Sequence, residues 1–214
     1  MMNNRHFFVF DFETGGLDPA QHDPVQVAVQ VLDAKTLEPK TSFVSYIKPD
    51  PDRVSERALE VNKLTLDLLE KAPSKAEVLD VLLSILKPFG QGLFVAHNAK
   101  FDYDFLKEWA RQVDPSLNLD HYIDYRLICT AQLAFEKWVL HEQVMRRVKL
   151  QEITRQFNIQ HDNAHDALSD VVAAGEVLRL GLRKSFGFKL VRGVRQALRT
   201  KQLKSITESL QSLY

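Results

Sequence analysis

Phe7-Phe8-Val9-Phe10-Asp11-Phe12-Glu13-Thr14-Gly15-Gly16 is an aromatic, β-branched run that closes on two acids and a glycine pair. From Phe7 to Asp11 its composition favours a buried central strand. Asp11 and Glu13 are separated by one residue, so the period-2 geometry of a strand points both carboxylates to one face and Phe10 and Phe12 to the other. Carboxylates held that close repel, and a divalent cation is the simplest partner for both. Standing alone, the short D-x-E pattern is better read as a strand-end turn with solvated acids.

Gly15-Gly16 and Asp18-Pro19 break the chain, after which Val25, Val27, Val29 and Val31 alternate with other residues as a second strand. A third strand, roughly Thr41 to Lys48, follows the Asp33 to Lys40 connection, which is short enough for an antiparallel hairpin. Helical spacing takes over from Ser55 to Phe89, with Leu64, Leu68 and Leu69 in one segment and Val78, Leu79, Leu82, Leu83 and Leu86 in another; Pro73 separates them. Leu93 to Ala96 reads as a fourth strand that leads into a helix bearing Phe101, Phe105, Leu106 and Trp109. Tyr122 to Asp124 is a short fifth strand, and helices are expected near Leu127 to Val139, Leu150 to Phe157 and Ala164 to Leu182. Antiparallel strands followed by alternating strands and helices predict an α/β chain, a mixed five-stranded sheet with helices on its faces.

The 214 residues, 45% apolar and 26% charged, suit one globular domain with a short appendage and exclude collagen-like or wholly disordered classes. The single cysteine, Cys129, excludes an internal disulfide framework and any Cys-rich zinc site, and suits a reducing compartment. No apolar run reaches the roughly 18 residues of a membrane span, and Met-Met-Asn-Asn-Arg-His lacks a signal-peptide core, so the chain reads as cytoplasmic, without a membrane partner. The 28 basic and 28 acidic residues are unevenly spread. Up to Glu176 there are 19 basic and 27 acidic residues, net −8, whereas nine basic residues and no acid lie between Glu176 and Glu208. That asymmetry suggests a tail that binds a polyanion.

Phe94-Val95-Ala96-His97-Asn98-Ala99-Lys100-Phe101-Asp102 puts a third acid in the first turn of a helix, where the helix dipole favours it, with Asn98 as the cap. His161-Asp162-Asn163-Ala164-His165-Asp166-Ala167-Leu168-Ser169-Asp170 brings further acids and two histidines into an alanine-rich helix. Asp166 and Asp170 are four apart and share a helix face, while His165 and Asp170 are five apart, about 140° round the helix. Spacing alone favours Asp166 beside Asp170, unless His165 precedes the regular helix. His97 and His161 are candidates for orienting roles, and Cys129 reads as a buried thiol in an apolar helical stretch.

The ordered set DFETGGLDP (11–19), FVAHNAKFDYDFL (94–106) and HDALSD (165–170) resembles the DEDDh exonucleases, a family that includes the proofreading exonuclease subunits and domains of bacterial replicative polymerases. The resemblance covers roughly residues 5 to 180, and Ala58 to Thr65 also fits the family's stretch between the third strand and the first long helix. It implies a ribonuclease H-like three-layer α/β/α fold, with an exonuclease domain over residues 1–182 and a basic, helical C-terminal extension over 183–214. It further implies that Asp11, Glu13, Asp102 and Asp170 bind metal and that His165, ahead of Asp166, is the general base. Thr14, Gly15, Leu17, Asn98 and Phe101 match positions that meet the 3′ end of a substrate. Gly15 departs from the family's frequent second threonine, and Asp124 has a counterpart that is usually structural.

The implied activity is metal-dependent 3′-to-5′ hydrolysis from single-stranded or frayed DNA ends, with release of nucleoside 5′-monophosphates. A phosphodiester is anionic, and two divalent ions can activate water and stabilise the leaving 3′ oxygen. Oxygen ligands favour Mg2+ or Mn2+, and a neutral histidine near pH 7 can take the water's proton. RNA trimming and a nuclease-like binding module are the alternatives, and a DNA polymerase is the protein partner suggested by the resemblance. The basic extension reads first as a helix packed on the body with solvated charges, with docking on another protein or phosphate tracking as its functional readings.

Overall fold

Five strands, β1 (His6–Thr14), β2 (Pro24–Asp33), β3 (Pro39–Tyr46), β4 (Gly92–Ala96) and β5 (Ile123–Cys129), form one sheet in the order β3-β2-β1-β4-β5. The computed structural model describes residues 5–161 and 166–182. Antiparallel pairing joins β1 to β2 and β2 to β3, and parallel pairing joins β1 to β4 and β4 to β5, so β2 alone runs against the rest. Around the sheet lie α1 (Glu56–Asn62), α2 (Leu66–Leu69), α3 (Lys75–Leu86), α4 (Ala99–Val113), α5 (Thr130–Ala134), α6 (Leu150–Phe157) and α7 (Ala167–Leu182). Ser74 starts α3 with a reciprocal capping box to Glu77, which satisfies backbone N–H groups that the first turn leaves over.

Alternation along β1 builds the layers. Phe8, Phe10 and Phe12 face α3 and α4 and pack with Leu79, Leu82, Leu86, Leu106 and Trp109. Phe7 and Val9 face α7 and pack with Ala28, Val95, Ala167, Val171, Ala174 and Leu178. Each fully buried leucine or phenylalanine is worth about 1.5–3 kcal/mol, so the two apolar faces fix the register that decides where Asp11 and Glu13 point. Those two acids follow Phe7 and Val9 in phase and therefore turn towards α7. Trp138, Ile153 and Val177 form a smaller cluster beyond it.

β1 runs on to Thr14, past the expected Asp11, and β3 and β5 differ further from the sequence expectation. β3 occupies Pro39–Tyr46 rather than Thr41 to Lys48. β5 is longer than Tyr122 to Asp124, because Leu127, Ile128 and Cys129 pair with Phe94, Val95 and Ala96 where the sequence suggested a helix. A short apolar run serves either state, and here the β4 ladder decides. The helix starts at Thr130 and widens to π winding over Phe135–His141. Cys129 accordingly ends a strand and is only partly buried. Residues 183–214, the expected basic extension, lie outside the described residues. Among the described residues, no helix is long and apolar enough to cross a membrane.

The loop after β1 is clasped by a buried acid that no motif in the sequence singles out. The Asp23 side chain is fully buried, receives Arg53 Nε and Lys75 Nζ at 2.7 Å each and accepts the Asp50 N–H at 2.9 Å. Its backbone carbonyl takes the Gly15 N–H at 2.8 Å, and its N–H donates to the Arg53 carbonyl at 3.1 Å. Burial raises the Asp23 pKa, but hydrogen bonds from Lys75, Asp50 and Arg53 outweigh it and hold the carboxyl below its usual range.

Asp23→Ala is expected to cost about 3 kcal/mol, because it strands two cations whose side chains are 24–25% exposed. Its lowered pKa makes this contribution complete above the ordinary aspartate range and lost as pH falls below about 3.9. In thermal melts the gap between wild type and Asp23→Ala should be full at pH 6 and shrink through pH 4 to pH 3.

Candidate functional site

At the end of β1 three carboxylates from two elements meet. Asp11, Glu13 and Asp170 each offer an oxygen, and these atoms all lie within 4.8 Å of one another. Asp11 and Glu13 come from β1, and Asp170 comes from the first turn of α7. Small residues at Ala167, Ala173 and Ala174 let that helix lie close to the sheet. Gln26, opposite Glu13 in the β1–β2 register, accepts the Ala167 N–H through Oε1 at 3.4 Å and so ties the start of α7 to the hairpin.

Asp102 closes the group from the α4 side. β4 pairs with β1 only over Phe7 to Val9 and stops at Ala96, so the later N–H groups of β1 lack a strand on that side. Asp102 Oδ1 accepts the Phe12 N–H at 3.2 Å in its place, and the residue is 4% exposed. The four acids expected from the sequence are thus drawn together by the two central strands and the helices that follow them.

Their electrostatics reflect crowding. Burial raises the Asp11 pKa well above its ordinary value, and Asp102, Asp170, Glu13 and Asp166 push it further the same way. Burial, then Asp170 and Asp166, push Glu13 up to about 7. Asp102 is pushed up to about 8 by burial, partly opposed by hydrogen bonds from the Phe12 N–H and its own N–H. A buried, all-oxygen set that resists ionisation on its own matches the donor chemistry of Mg2+ or Mn2+, which would neutralise it.

The flanking residues take different positions. Thr14 is buried and its hydroxyl donates to the Gly16 carbonyl at 2.7 Å. Asn62 Nδ2 donates to the Thr14 carbonyl at 3.0 Å, which accounts for the Ala58 to Thr65 stretch beside the site. The Gly15 carbonyl accepts both the N–H and the hydroxyl of Ser55, and a Cβ on Gly15 would sit 2.6 Å from the Arg53 carbonyl oxygen, so a threonine does not fit this turn as it is folded. Leu17 is 85% exposed, whereas the ring of Phe101 packs 4.9 Å from that of Phe105. Asn98 stands at the N-cap of α4 in a left-handed conformation (φ 98°, ψ 50°), but its side chain makes no capping bond, unlike the expectation. Asp124 pairs with Arg126 away from the acids, in keeping with a structural role.

Histidines divide similarly. His165 lies outside the described residues. Asp166 accepts the Ser169 N–H at 3.3 Å and so caps α7. His161, expected only as an orienting candidate, is buried and its Nε2 bonds Asp170 Oδ1, with Thr154 Oγ1 3.3 Å from Nδ1. No local pattern in the sequence signals that contact. His97 Nε2 donates to the Val148 carbonyl at 2.8 Å, and Nδ1 lies 2.9 Å from Thr130 Oγ1. Burial lowers its pKa.

The RNase_T exonuclease family matches residues 8–178, and the chain belongs to this family of 3′-to-5′ exonucleases. It is 33% identical over 178 residues to the PolC-type DNA polymerase III of Thermotoga petrophila and 31% identical over 175 residues to that of Thermotoga maritima. These matches cover 81% and 80% of this chain but only 12% and 11% of the polymerases. Among solved structures, an Escherichia coli ExoI–ssDNA complex superposes with a TM-score of 0.70 at 22% identity, over 83% of this chain and 40% of that one. Exonuclease I from Methylocaldum szegediense gives 0.69 at 22% identity, over 82% and 40%. This likeness shows the ribonuclease H-like α/β fold.

Raised carboxyl pKa values predict a stability profile for the cation-free protein. The folded state keeps protons at Glu13 to about 7 and at Asp102 to about 8, whereas the unfolded chain releases them above about 4.3 and 3.9. Stability is therefore complete at acid pH and falls as pH rises towards 8. Thermal melts in chelator should decline from pH 5 to pH 8, and Asp11→Asn should raise the melting temperature most at the alkaline end.

Proposed function

We propose that this chain is a divalent-metal-dependent 3′-to-5′ exodeoxyribonuclease that releases nucleoside 5′-monophosphates from single-stranded or frayed DNA ends. The observation that carries this reading is the meeting of Asp11, Glu13 and Asp170 within 4.8 Å, with Asp102 beside them. The exonuclease domain spans residues 1–182, and the basic extension follows. Family membership supports hydrolysis of a phosphodiester, and the named ExoI–ssDNA complex supports a single-stranded substrate. The PolC-type relatives are polymerases, which supports a proofreading role with a DNA polymerase as partner.

Asp11, Glu13, Asp102 and Asp170 would hold two divalent ions, Mg2+ or Mn2+. When bound, such ions supply charge neutralisation for the phosphodiester and for the oxygens that enter and leave. His165 takes a proton from water as its oxygen bonds to phosphorus; the P–O3′ bond breaks and the freed 3′ oxygen gains a proton. The products are a nucleoside 5′-monophosphate and a strand one residue shorter with a 3′ hydroxyl. Leu17, exposed on the Gly15 to Pro19 turn, and Phe101 offer apolar surface to the terminal base. Asn98, Thr14 and the Gly15 backbone would meet its sugar and phosphate.

On single-stranded DNA, Asp11→Ala and Asp170→Ala should each abolish turnover while the fold is kept by circular dichroism, and chelator should stop the wild type. His165→Ala should lower kcat by roughly 10²–10⁴-fold. Asp166→Ala should cost about 1 kcal/mol of helix capping and retain most turnover. Full activity in Asp11→Ala would overturn the assignment, and a larger loss at Asp166 than at His165 would reassign the base.

A further inference from the structure

Arg146-Arg147-Val148-Lys149 is the densest run of positive charge before Glu176, within a stretch of net charge −8. It precedes α6 and has no part in the site described above. Its position is nevertheless fixed next to that site. His97 donates to the Val148 carbonyl at 2.8 Å; it follows β4, whose Val95 pairs with Val9 of β1, and immediately precedes Asn98 at the N-cap of α4, the helix that carries Asp102. The anchor of the loop therefore stands beside the acid cluster.

Side-chain direction along the loop is sorted. Met145, Val148 and Leu150 pack against the cluster of Trp138, Ile153 and Val177. Arg146, Arg147 and Lys149 are exposed. Arg147 approaches Glu152 at 4.0 Å, while Arg146 and Lys149 have no carboxylate partner among the described residues. Three cations on an apolar footing, two of them without a carboxylate partner among the described residues, carry charge complementary to a nucleic-acid backbone.

We propose that Arg146, Arg147 and Lys149 hold backbone phosphates of the single-stranded DNA on the 5′ side of the nucleotide being removed. The inference rests on the exonuclease reading and adds to it a place for the rest of the strand. The acids repel that strand as they repel each other, and a cationic rim at the mouth offsets the repulsion without entering the chemistry. A cation at each of three phosphates releases counterions, which contributes about 0.7 per contact to the slope of log K against log salt for a single strand.

The test replaces all three residues with glutamine (Arg146→Gln, Arg147→Gln, Lys149→Gln) in the full chain. Binding of a ten-residue oligo-dT is followed by fluorescence anisotropy from 50 to 200 mM salt, with Ca2+ present to limit turnover. The expected result is a salt slope shallower by about 2 and KM for the oligomer raised roughly tenfold at low salt, with kcat within about twofold. Hydrolysis of the p-nitrophenyl ester of thymidine 5′-monophosphate, which has no upstream phosphate, should be unchanged. An unchanged slope and KM would overturn the proposal, as would equal losses on oligomer and ester, which would mean that the loop only supports the fold. Retained DNA binding with loss of poly-glutamate binding would also overturn it, in favour of an acidic protein partner. Wild type that binds oligo-dT with the expected slope but hydrolyses neither substrate would instead sink the exonuclease reading and leave the loop's strand contact supported.

Discussion

Repulsion between carboxylates at the end of β1 is the constraint on which the rest of the structure turns. Asp11 and Glu13 project from a strand that β2 pairs along its whole length and β4 over Phe7 to Val9, so neither can move away without breaking the register set by Phe7 to Phe12. Asp170 is delivered by a helix packed through small residues, and Asp102 by one that begins where β4 ends. The apolar layers thus contribute the free energy that holds like charges together. Without a cation, the acids respond by keeping protons.

Support for this arrangement comes from polar bonds that join sequence-distant segments. Asp23 draws Arg53 and Lys75 onto the loop after β1, and its backbone clasps Gly15. Gln26 reaches the first N–H of α7, and Asn62 reaches the Thr14 carbonyl. Each fixes backbone next to an acid rather than touching the acids' metal-facing oxygens. Rigid backing of this sort keeps a charged site organised for a substrate that is itself an anion.

Much of the site was legible because it follows local rules. Period 2 put Asp11 and Glu13 on one face, and the strand-to-helix reading put Asp102 in a first helical turn. The choice between Asp166 and His165 was not legible, since a helix entry leaves the angle between neighbouring residues undetermined; the resemblance to DEDDh exonucleases decided it there. Asp23 was not legible, because its partners, Arg53 and Lys75, are 30 and 52 residues away and such pairing leaves no periodic trace. Leu127 to Cys129 read as helix because a short apolar run satisfies both templates until a neighbouring strand is known. His161 and Asp170 are nine residues apart, a spacing that is not one of the neighbour spacings of a helix face, so their contact had no sequence signal.

Membership in the exonuclease family stands beside a crowded set of acids that a divalent cation would neutralise. The most direct measurement is a calorimetric titration of Mn2+ into the full chain at pH 6.5, in two buffers of different ionisation enthalpy, beside Asp11→Asn. The account predicts binding with net proton release, as the cation displaces protons from Glu13 and Asp102, and loss of that binding in Asp11→Asn. No binding, binding without proton release, or binding unaltered by Asp11→Asn would contradict it.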